Sequence, residues 1–133
     1  MVRVLKLKYG LSLVLISVCT LSALAIYTLG AWCFDEAAAV ERALEFLRRS
    51  PTYRFDGIPE SVRVEGVERI GLTSWRISIA FVCSHSGYGD RTGKVLLQVL
   101  TPHRIRIELE RGVIVEAIVD EVWNELTQEP IKR

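Results

Sequence analysis

The sequence predicts an α+β fold in which an N-terminal transmembrane helix is followed by one amphipathic helix packed on a four- to five-stranded, mainly antiparallel sheet. Three observations predict it. No charged residue occurs from 9 to 34, apolar residues recur at helical spacing from 37 to 47, and period-two alternation recurs from 62 to 119. The 133 residues therefore divide into a basic N-terminus at 1–8, an anchor at 9–34 and a domain at 35–133.

The anchor prediction depends on length and on flanking charge. As a helix, residues 9–34 extend roughly 39 Å at about 1.5 Å per residue, which exceeds the ~30 Å hydrocarbon core of a bilayer. The flanking charges are Arg3, Lys6 and Lys8 on one side and Asp35 and Glu36 on the other. Because cations favour the cytoplasmic side, we expect a single-pass protein of the cell membrane, with lipid contact along 9–34, a cytoplasmic N-terminus and an extracytoplasmic domain.

A cleaved signal peptide is the alternative for the same segment. Ala23-Leu24-Ala25 matches the small-residue cleavage pattern, and Leu11 to Ser22 would form the hydrophobic region before it. Both interpretations export the domain, so we expect an oxidising environment around it. Such an environment permits a disulfide between Cys33 and Cys83, provided that their Cα atoms lie within about 7 Å of each other.

The domain opens with a predicted amphipathic helix. Its apolar residues recur at i, i+3, i+7 and i+10 and share one face: Ala37, Val40, Leu44 and Leu47. Asp35 is the predicted N-cap, and Ser50-Pro51 ends the helix because proline does not continue it. The stretch from Thr52 to Pro59 then has aromatic residues and a closing proline, which is typical of a loop.

Alternating apolar and polar residues predict the strands of the sheet. The runs are Val62–Gly66, Trp75–Phe81, Val95–Val99, Ile105–Leu109 and, after an Arg111-Gly112 turn, Val113–Val119. One face of this sheet would be covered by the helix, while charged residues such as Arg76, Arg104 and Glu108 would pair across strands on the other. Val122, Trp123 and Leu126 have helical spacing and predict a final helical turn.

The densest polar stretch, Cys83 to Gly93, lies between two apolar runs and is the predicted functional site. Its glycines permit positive φ, so a long hairpin loop is the simplest interpretation. The functional interpretation is a partner-binding loop, because loops on rigid scaffolds often carry function. Its contact residues would be His85, Tyr88, Asp90 and Arg91. A nucleotide loop is disfavoured because no Gly-Lys-Ser/Thr follows the glycines.

Catalytic and metal chemistry find less support in the sequence. A zinc site would need Cys83, His85, His103 and Asp90 as its ligands. Because Cys83 continues the apolar face of a predicted strand, a buried thiol is the simpler interpretation. A small hydrolase using Cys83, His85 and Asp90 is an alternative, although no positioned base or oxyanion donor is visible. We therefore predict no catalytic residue, no metal and no cofactor.

Charge excludes one class of partner. Three of the 17 Lys and Arg residues lie before position 9, and all 16 Asp and Glu residues follow position 34, so the domain is close to neutral. Binding to a phosphate backbone needs a basic patch, which the domain lacks. We expect no nucleic-acid partner.

The order of helix and sheet resembles PepSY-like and cystatin-like extracytoplasmic domains. The resemblance is carried by Ala37–Leu44, by Trp75–Ile79 and by the hairpin from Ile105 to Val115. The chain also resembles uncharacterised archaeal membrane-anchored proteins with a stretch like Gly87–Gly93 followed by one like Thr101-Pro102-His103. PepSY-like domains restrain or chaperone exported proteases. The resemblance thus implies an archaeal source and a module that binds another exported protein, with a structural subunit of an envelope complex as a further alternative.

Overall fold

The computed structural model describes residues 12, 14–23 and 34–132 of the chain. It consists of two compact units, Met1–Cys33 and Phe34–Arg133. In the first unit, residue 12 and residues 14–23 are helical and their side chains are exposed. Over these described ranges, no helix has both the length and the apolar character that crossing a membrane requires.

Several predictions for the N-terminal part fall on residues that the structure does not describe. Most of the predicted anchor at 9–34 lies there, and so does Cys33. Cys83 carries a free and buried thiol. The anchor and the Cys33–Cys83 disulfide therefore stay predictions.

The first helix of the second unit, α1, spans Glu36–Arg49 and confirms the predicted amphipathic helix. The predicted face is partly wrong, because Ala39, Ala43 and Leu47 are buried, whereas Ala37 is exposed and Val40 and Leu44 are half-buried. It begins after Asp35, whose Oδ1 accepts a hydrogen bond from the backbone N–H of Ala38 at 2.9 Å. Such an N-cap is worth about 0.5–2 kcal/mol. Arg48 and Arg49 lie in the last turn, where cations interact favourably with the helix dipole.

A second helix, α2, spans Pro51–Asp56 where the sequence predicted a loop. Pro51 suits the first helical position because its φ is preset and its missing N–H would have no partner there. The next N–H, of Thr52, donates to the carboxylate of Glu125 at 2.8 Å. This partner is 73 residues away, so local sequence signals did not reveal it. A 3₁₀ turn, Pro59–Ser61, follows.

The described residues of the second unit form one antiparallel sheet of six strands in sequential order. The strands are β1 (Arg63–Arg69), β2 (Ser74–Cys83), β3 (Thr101–Glu110), β4 (Val113–Val119), β5 (Trp123–Asn124) and β6 (Glu129–Pro130). At the β3–β4 turn, Arg111 and Gly112 have φ of 51° and 79°, as a two-residue hairpin turn requires. The α+β class is confirmed, with six strands in place of four or five.

The core lies between α1 and one face of the sheet. Strand β2 alternates buried and half-buried residues along its length, which confirms the period-two prediction. The core comprises Ala39, Ala43 and Leu47 from α1, the β2 residues Trp75, Ile77, Ile79, Phe81 and Cys83, and Ile105, Ile107 and Leu109 from β3. Each fully buried isoleucine or phenylalanine contributes about 1.5–3 kcal/mol.

The opposite face of the sheet carries the predicted cross-strand ion pairs. Arg76 Nε lies 2.8 Å from Glu108 Oε1, and its Nη1 lies 3.0 Å from Glu68 Oε2. Arg104 Nε lies 2.6 Å from Glu65 Oε2. One arginine on β2 therefore bridges carboxylates on both neighbouring strands.

The predicted strand at Val95–Val99 is wrong, because residues 94–100 have no strand structure and β3 begins at Thr101. Strand β2 ends at Cys83, opposite Thr101. Beyond it, the N–H of Ser84 donates to the backbone oxygen of Asp56 at 3.1 Å. The chain after β2 is thus drawn toward α2. Among the described residues, the only backbone hydrogen bond that residues 95–100 accept from outside the segment is a long one, from the N–H of Ser86 to the oxygen of Leu97 at 3.5 Å.

The predicted helical turn at Val122 to Leu126 is also wrong, because β5 occupies this region. Asp120 and Glu121 have φ of 50° and 60°. Two successive left-handed residues reverse the chain tightly. The reversal places Trp123 opposite Val119 of β4.

Candidate functional site

A buried ion pair holds the polar loop, residues 84–93, against α2. We call these residues the tethered loop. Arg91, whose side chain is 2% exposed, lies with Nη2 2.5 Å from Asp56 Oδ1. The same Nη2 donates to the backbone oxygen of Thr52 at 3.2 Å, and Nη1 donates to that of Gly87. The guanidinium also lies over the ring of Phe55, 4.7 Å from its centroid. Arg91 therefore supports the loop from inside.

Asp56 fixes the start of the loop with its second carboxylate oxygen. Oδ2 accepts the backbone N–H of His85 at 2.7 Å and lies 2.9 Å from Nδ1 of the same residue. The imidazole is about one-third exposed. One carboxylate thus binds both ends of the loop, through His85 and through Arg91.

Thr52 and Glu125 form a second buried tie. Glu125 is 3% exposed, and its Oε2 accepts the hydroxyl hydrogen of Thr52 at 2.7 Å. The Thr52 hydroxyl oxygen in turn accepts the N–H of Gly89 at 2.7 Å. Gly89 has a φ of +69°, and a Cβ there would lie 2.8 Å from the side chain of Gln128. The positive φ therefore favours glycine at this point of the loop, which lies against the side chain of Gln128.

Tyr88 attaches the middle of the loop to the sheet. Its ring stacks on Trp123 with centroids 5.7 Å apart, and its hydroxyl donates to Asp120 Oδ2 at 3.0 Å. Burial, followed by the neighbouring carboxylate, raises the pKa of Tyr88 to about 12. Nδ1 of the buried His103 lies 2.6 Å from the same Asp120 oxygen.

The carboxylate of Asp120 is held in its charged form. Burial acts to raise its pKa, but hydrogen bonds from His103, from the backbone N–H of Arg104 and from Tyr88 outweigh burial and lower it. The N–H of Arg104 donates to Oδ1 at 2.8 Å. Asp120 therefore joins the tethered loop, β3 and the turn after β4 through one charged group.

Of the four predicted contact residues, Asp90 is the most exposed. Its Oδ1 accepts hydrogen bonds from the N–H and the hydroxyl of Thr92 at 2.9 and 2.6 Å. These bonds lower the pKa of Asp90. With Arg54 and Phe55 it lines an open cavity of about 440 Å³. Tyr88 and His85 are half-buried, and Arg91 is internal, so Asp90 offers the loop's most accessible polar contact.

The predicted nucleophile and its partners are not brought together. Cys83 is fully buried, and its thiol points to the backbone oxygen of Thr52 at 3.6 Å. Burial, reinforced by Asp56, raises the pKa of this thiol to about 12, whereas nucleophilic cysteines need a lowered pKa. His85 bonds to Asp56 and not to Asp90. Among the described residues, no three His, Cys, Asp or Glu side chains are grouped closely enough to hold one metal ion.

The residues after the tethered loop are apolar and exposed, and we call residues 95–100 the apolar segment. Val95 is fully exposed and Leu97 is 75% exposed. Val99 and Leu100 are also exposed, while Leu96 is half-buried. Sequence reasoning missed this surface because it assigned the segment to a strand of the sheet. The sequence did contain a signal for it. In a strand from Val95 to Leu100 the side chains on both faces would be mostly apolar, so if one face were buried in the sheet, the other would be exposed.

The two edges of the sheet differ from the apolar segment. Edge strand β1 carries charged residues, and its pairing with β2 is interrupted by an irregularity between Val64 and Gly66. The other edge, β6, is two residues long and ends at Pro130. Charges, bulges, short length and proline are the features by which proteins prevent unwanted strand pairing. The apolar segment has none of them.

No protein-family model, no curated protein and no solved structure matches the chain.

Proposed function

We propose that the chain is a single-pass membrane protein whose extracytoplasmic domain is a protein-interaction module, PepSY-like in its helix-then-sheet order, with an exported or membrane protein as partner. The observation that carries the proposal is the apolar segment, with its exposed Val95, Leu97, Val99 and Leu100. Contiguous exposed apolar residues beside polar ones mark contact surfaces in soluble domains. The tethered loop next to it provides a rigid support and the polar contact Asp90.

The position of the apolar segment favours a protein over a lipid surface as its ligand. The chain enters the domain at Phe34, whose backbone oxygen accepts a hydrogen bond from Trp75 Nε1 at 3.2 Å, near the start of β2. The apolar segment adjoins the other end of β2, at Cys83. Ten residues of strand span roughly 33 Å. The apolar segment is thus about the length of β2 away from Phe34, the residue at which we propose that the anchor ends.

The hydrolase alternative is weakened by the chemistry of its residues. A thiol with a pKa of about 12 is protonated at neutral pH and does not act as a nucleophile. The imidazole of His85 is bound to Asp56 at 2.9 Å, which has its other oxygen on Arg91. These groups serve to hold the loop, so we assign them no catalytic role.

The location is tested by protease treatment of intact cells that express the full chain with a C-terminal tag. We expect the tag to be removed from outside, and we expect mass spectrometry of the membrane fraction to find the N-terminal peptide, which includes Arg3 and Lys6. A tag that is digested only after the cells are permeabilised would contradict the proposed orientation. A released protein whose N-terminus begins after Ala25 would identify a cleaved signal peptide.

The contact surface is tested with a photoreactive amino acid at position 97 in native membranes. Position 72 is the matched control, because Leu72 and Leu97 are 76% and 75% exposed but lie at opposite ends of β2. We expect one discrete cross-linked species from position 97 and none from position 72. Equal cross-linking from both positions, or none from either, would remove the support for an interaction module.

A further inference from the structure

The apolar segment is self-complementary about its own Leu97. In an antiparallel pair of two such segments with Leu97 opposite Leu97, Val95 of one copy lies opposite Val99 of the other. These three residues project from the same face because side chains alternate along a strand. A shift of one residue would place Gln98 opposite Leu97 and bring its amide into the apolar face. The sequence therefore favours one register.

The backbone groups at the centre of this register are free. Among described residues, the N–H and C=O groups of Leu96 and Gln98 take part in no backbone hydrogen bond. The oxygen of Leu97 accepts the N–H of Val99 at 3.0 Å and the N–H of Ser86 at 3.5 Å, and the Val99 bond has to open when the segment extends into a strand. In antiparallel pairs, residues alternate between positions that exchange hydrogen bonds and positions that do not. With Leu97 at a non-bonded position, Leu96 and Gln98 of the two copies exchange bonds.

We propose that two copies of this chain form a two-fold dimer in which their apolar segments pair as antiparallel strands centred on Leu97. The inference rests on the proposed function and names the partner as a second copy. A two-fold interface brings the same patch of both subunits together, and Val95, Leu97 and Val99 meet this condition. Lys94 is the charged residue nearest to the segment. In this register it lies opposite Leu100 of the other copy and away from that copy's Lys94, so no like charges lie opposite each other.

Confinement to a membrane explains how a short segment suffices. Specific interfaces usually bury about 1,200–2,000 Å² in total, and a six-residue segment supplies only part of that area. Two anchored copies meet at a high effective concentration, which raises the occupancy of a weak contact without new interactions. The dimer is therefore expected in membranes and weakly or not at all in dilute detergent.

The test is disulfide trapping in native membranes with the full chain, using Leu97→Cys in a background where Cys19 and Cys33 are changed to serine. At a non-bonded antiparallel position, opposing Cα atoms lie about 4.5 Å apart, which is within the range that a disulfide spans. We expect a covalent dimer after mild oxidation with copper phenanthroline. Leu72→Cys, which is equally exposed, should stay monomeric.

Register gives a second and sharper control. Gln98→Cys alone should not cross-link to itself, whereas co-expressed Leu96→Cys and Gln98→Cys chains should form a mixed dimer. Efficient trapping of Gln98→Cys with itself would overturn the register. A charged variant gives a further test, in which a photoreactive amino acid at position 95 reports the dimer. Leu97→Lys places two lysines directly opposite each other, and their repulsion should abolish the cross-linked dimer.

Other outcomes separate this inference from the proposed function. If position 97 cross-links to a different exported protein and Leu97→Cys yields no dimer, self-pairing is wrong and the interaction module stands. If position 97 yields no cross-linked species of either kind, both are wrong. A dimer that persists in Leu97→Lys would show association through another surface and would also overturn the inference.

Discussion

The tethered loop and the apolar segment are neighbours in the sequence and opposite in their environment. The tethered loop is polar and rich in glycine, yet Arg91 is buried and its ends are bound to α2. The apolar segment has the composition of a buried strand, yet Leu97 and Leu100 are exposed. The difference shows that distant partners determine which residues are buried here. Asp56 supplies a charged partner for the loop, whereas no strand supplies backbone groups that pair with the segment.

The two environments are causally linked. An extension of the β2–β3 pairing beyond Cys83 and Thr101 would need residues 84–89 to lie beside residues 95–100. His85 and Gly89 instead donate to Asp56 and Thr52, and within 84–89 only the N–H of Ser86 reaches the segment, 3.5 Å from the oxygen of Leu97. The bonds that secure the tethered loop therefore keep the apolar segment out of the sheet.

The largest effect is expected from Asp56→Ala, which removes the carboxylate that both ends of the loop share. It leaves the guanidinium of Arg91 buried without a counter-charge, and breaking one partner of a buried ion pair costs about 3–5 kcal/mol. Urea unfolding of the full chain in detergent measures the change. Asp90→Ala is the matched control, because this carboxylate is exposed, and it should have a much smaller effect.

A double variant separates the ion pair from other roles of Asp56. In Asp56→Leu/Arg91→Met the buried charge is absent, so most of the lost stability should return, since apolar replacement of a buried pair is often neutral. A single Asp56→Ala variant as stable as the wild type would show that the loop is held by other contacts.

Local signals predicted the elements whose causes are local. Helix α1 has its N-cap Asp35 and its proline stop within its own sequence, and β2 shows its alternation residue by residue. The turn at Arg111-Gly112 was predicted for the same reason, because a two-residue turn depends on the conformations that its own residues tolerate. These elements needed no information from distant parts of the chain.

The elements that sequence reasoning missed depend on distant partners. Helix α2 relies on Glu125, and the unpaired state of residues 95–100 relies on Asp56, which lies more than thirty residues before it. At the site, the sequence singled out His85, Tyr88 and Arg91 as partner contacts, but their side chains mostly face inward. The sequence analysis missed Asp56, Glu125 and Asp120. The sequence around an acidic residue does not indicate which distant side chain or backbone group it will contact in the folded protein.

An intermediate effect is expected at the second attachment of the loop, where Asp120 binds Tyr88 and His103. Asp120→Asn weakens these charge-assisted bonds and should cost about 1–3 kcal/mol at neutral pH. Because the pKa of Asp120 in the folded state lies below its ordinary value of 3.8, the charged carboxylate stabilises the fold fully above that value. This stabilisation is lost as the pH falls through the folded pKa.

Urea midpoints measured from about pH 2 to pH 6 test this linkage. The wild type should lose stability more steeply than Asp120→Asn at the acidic end, so that the difference between them narrows as the pH falls. Glu121→Gln is the control, because its side chain lies next in sequence and is exposed. Parallel curves for wild type and Asp120→Asn would contradict the assignment.

The smallest effect on stability is expected in the apolar segment itself. Leu97→Ser changes a side chain that is 75% exposed, and such surface substitutions usually alter the free energy of unfolding by less than about 0.5 kcal/mol. The same variant should nevertheless weaken the membrane dimer, because it removes the residue at the centre of the proposed strand pair. Leu72→Ser should leave both stability and dimer unchanged. A loss of more than about 1 kcal/mol in monomeric Leu97→Ser would mean that Leu97 packs on its own domain, and the contrast with the tethered loop would then disappear.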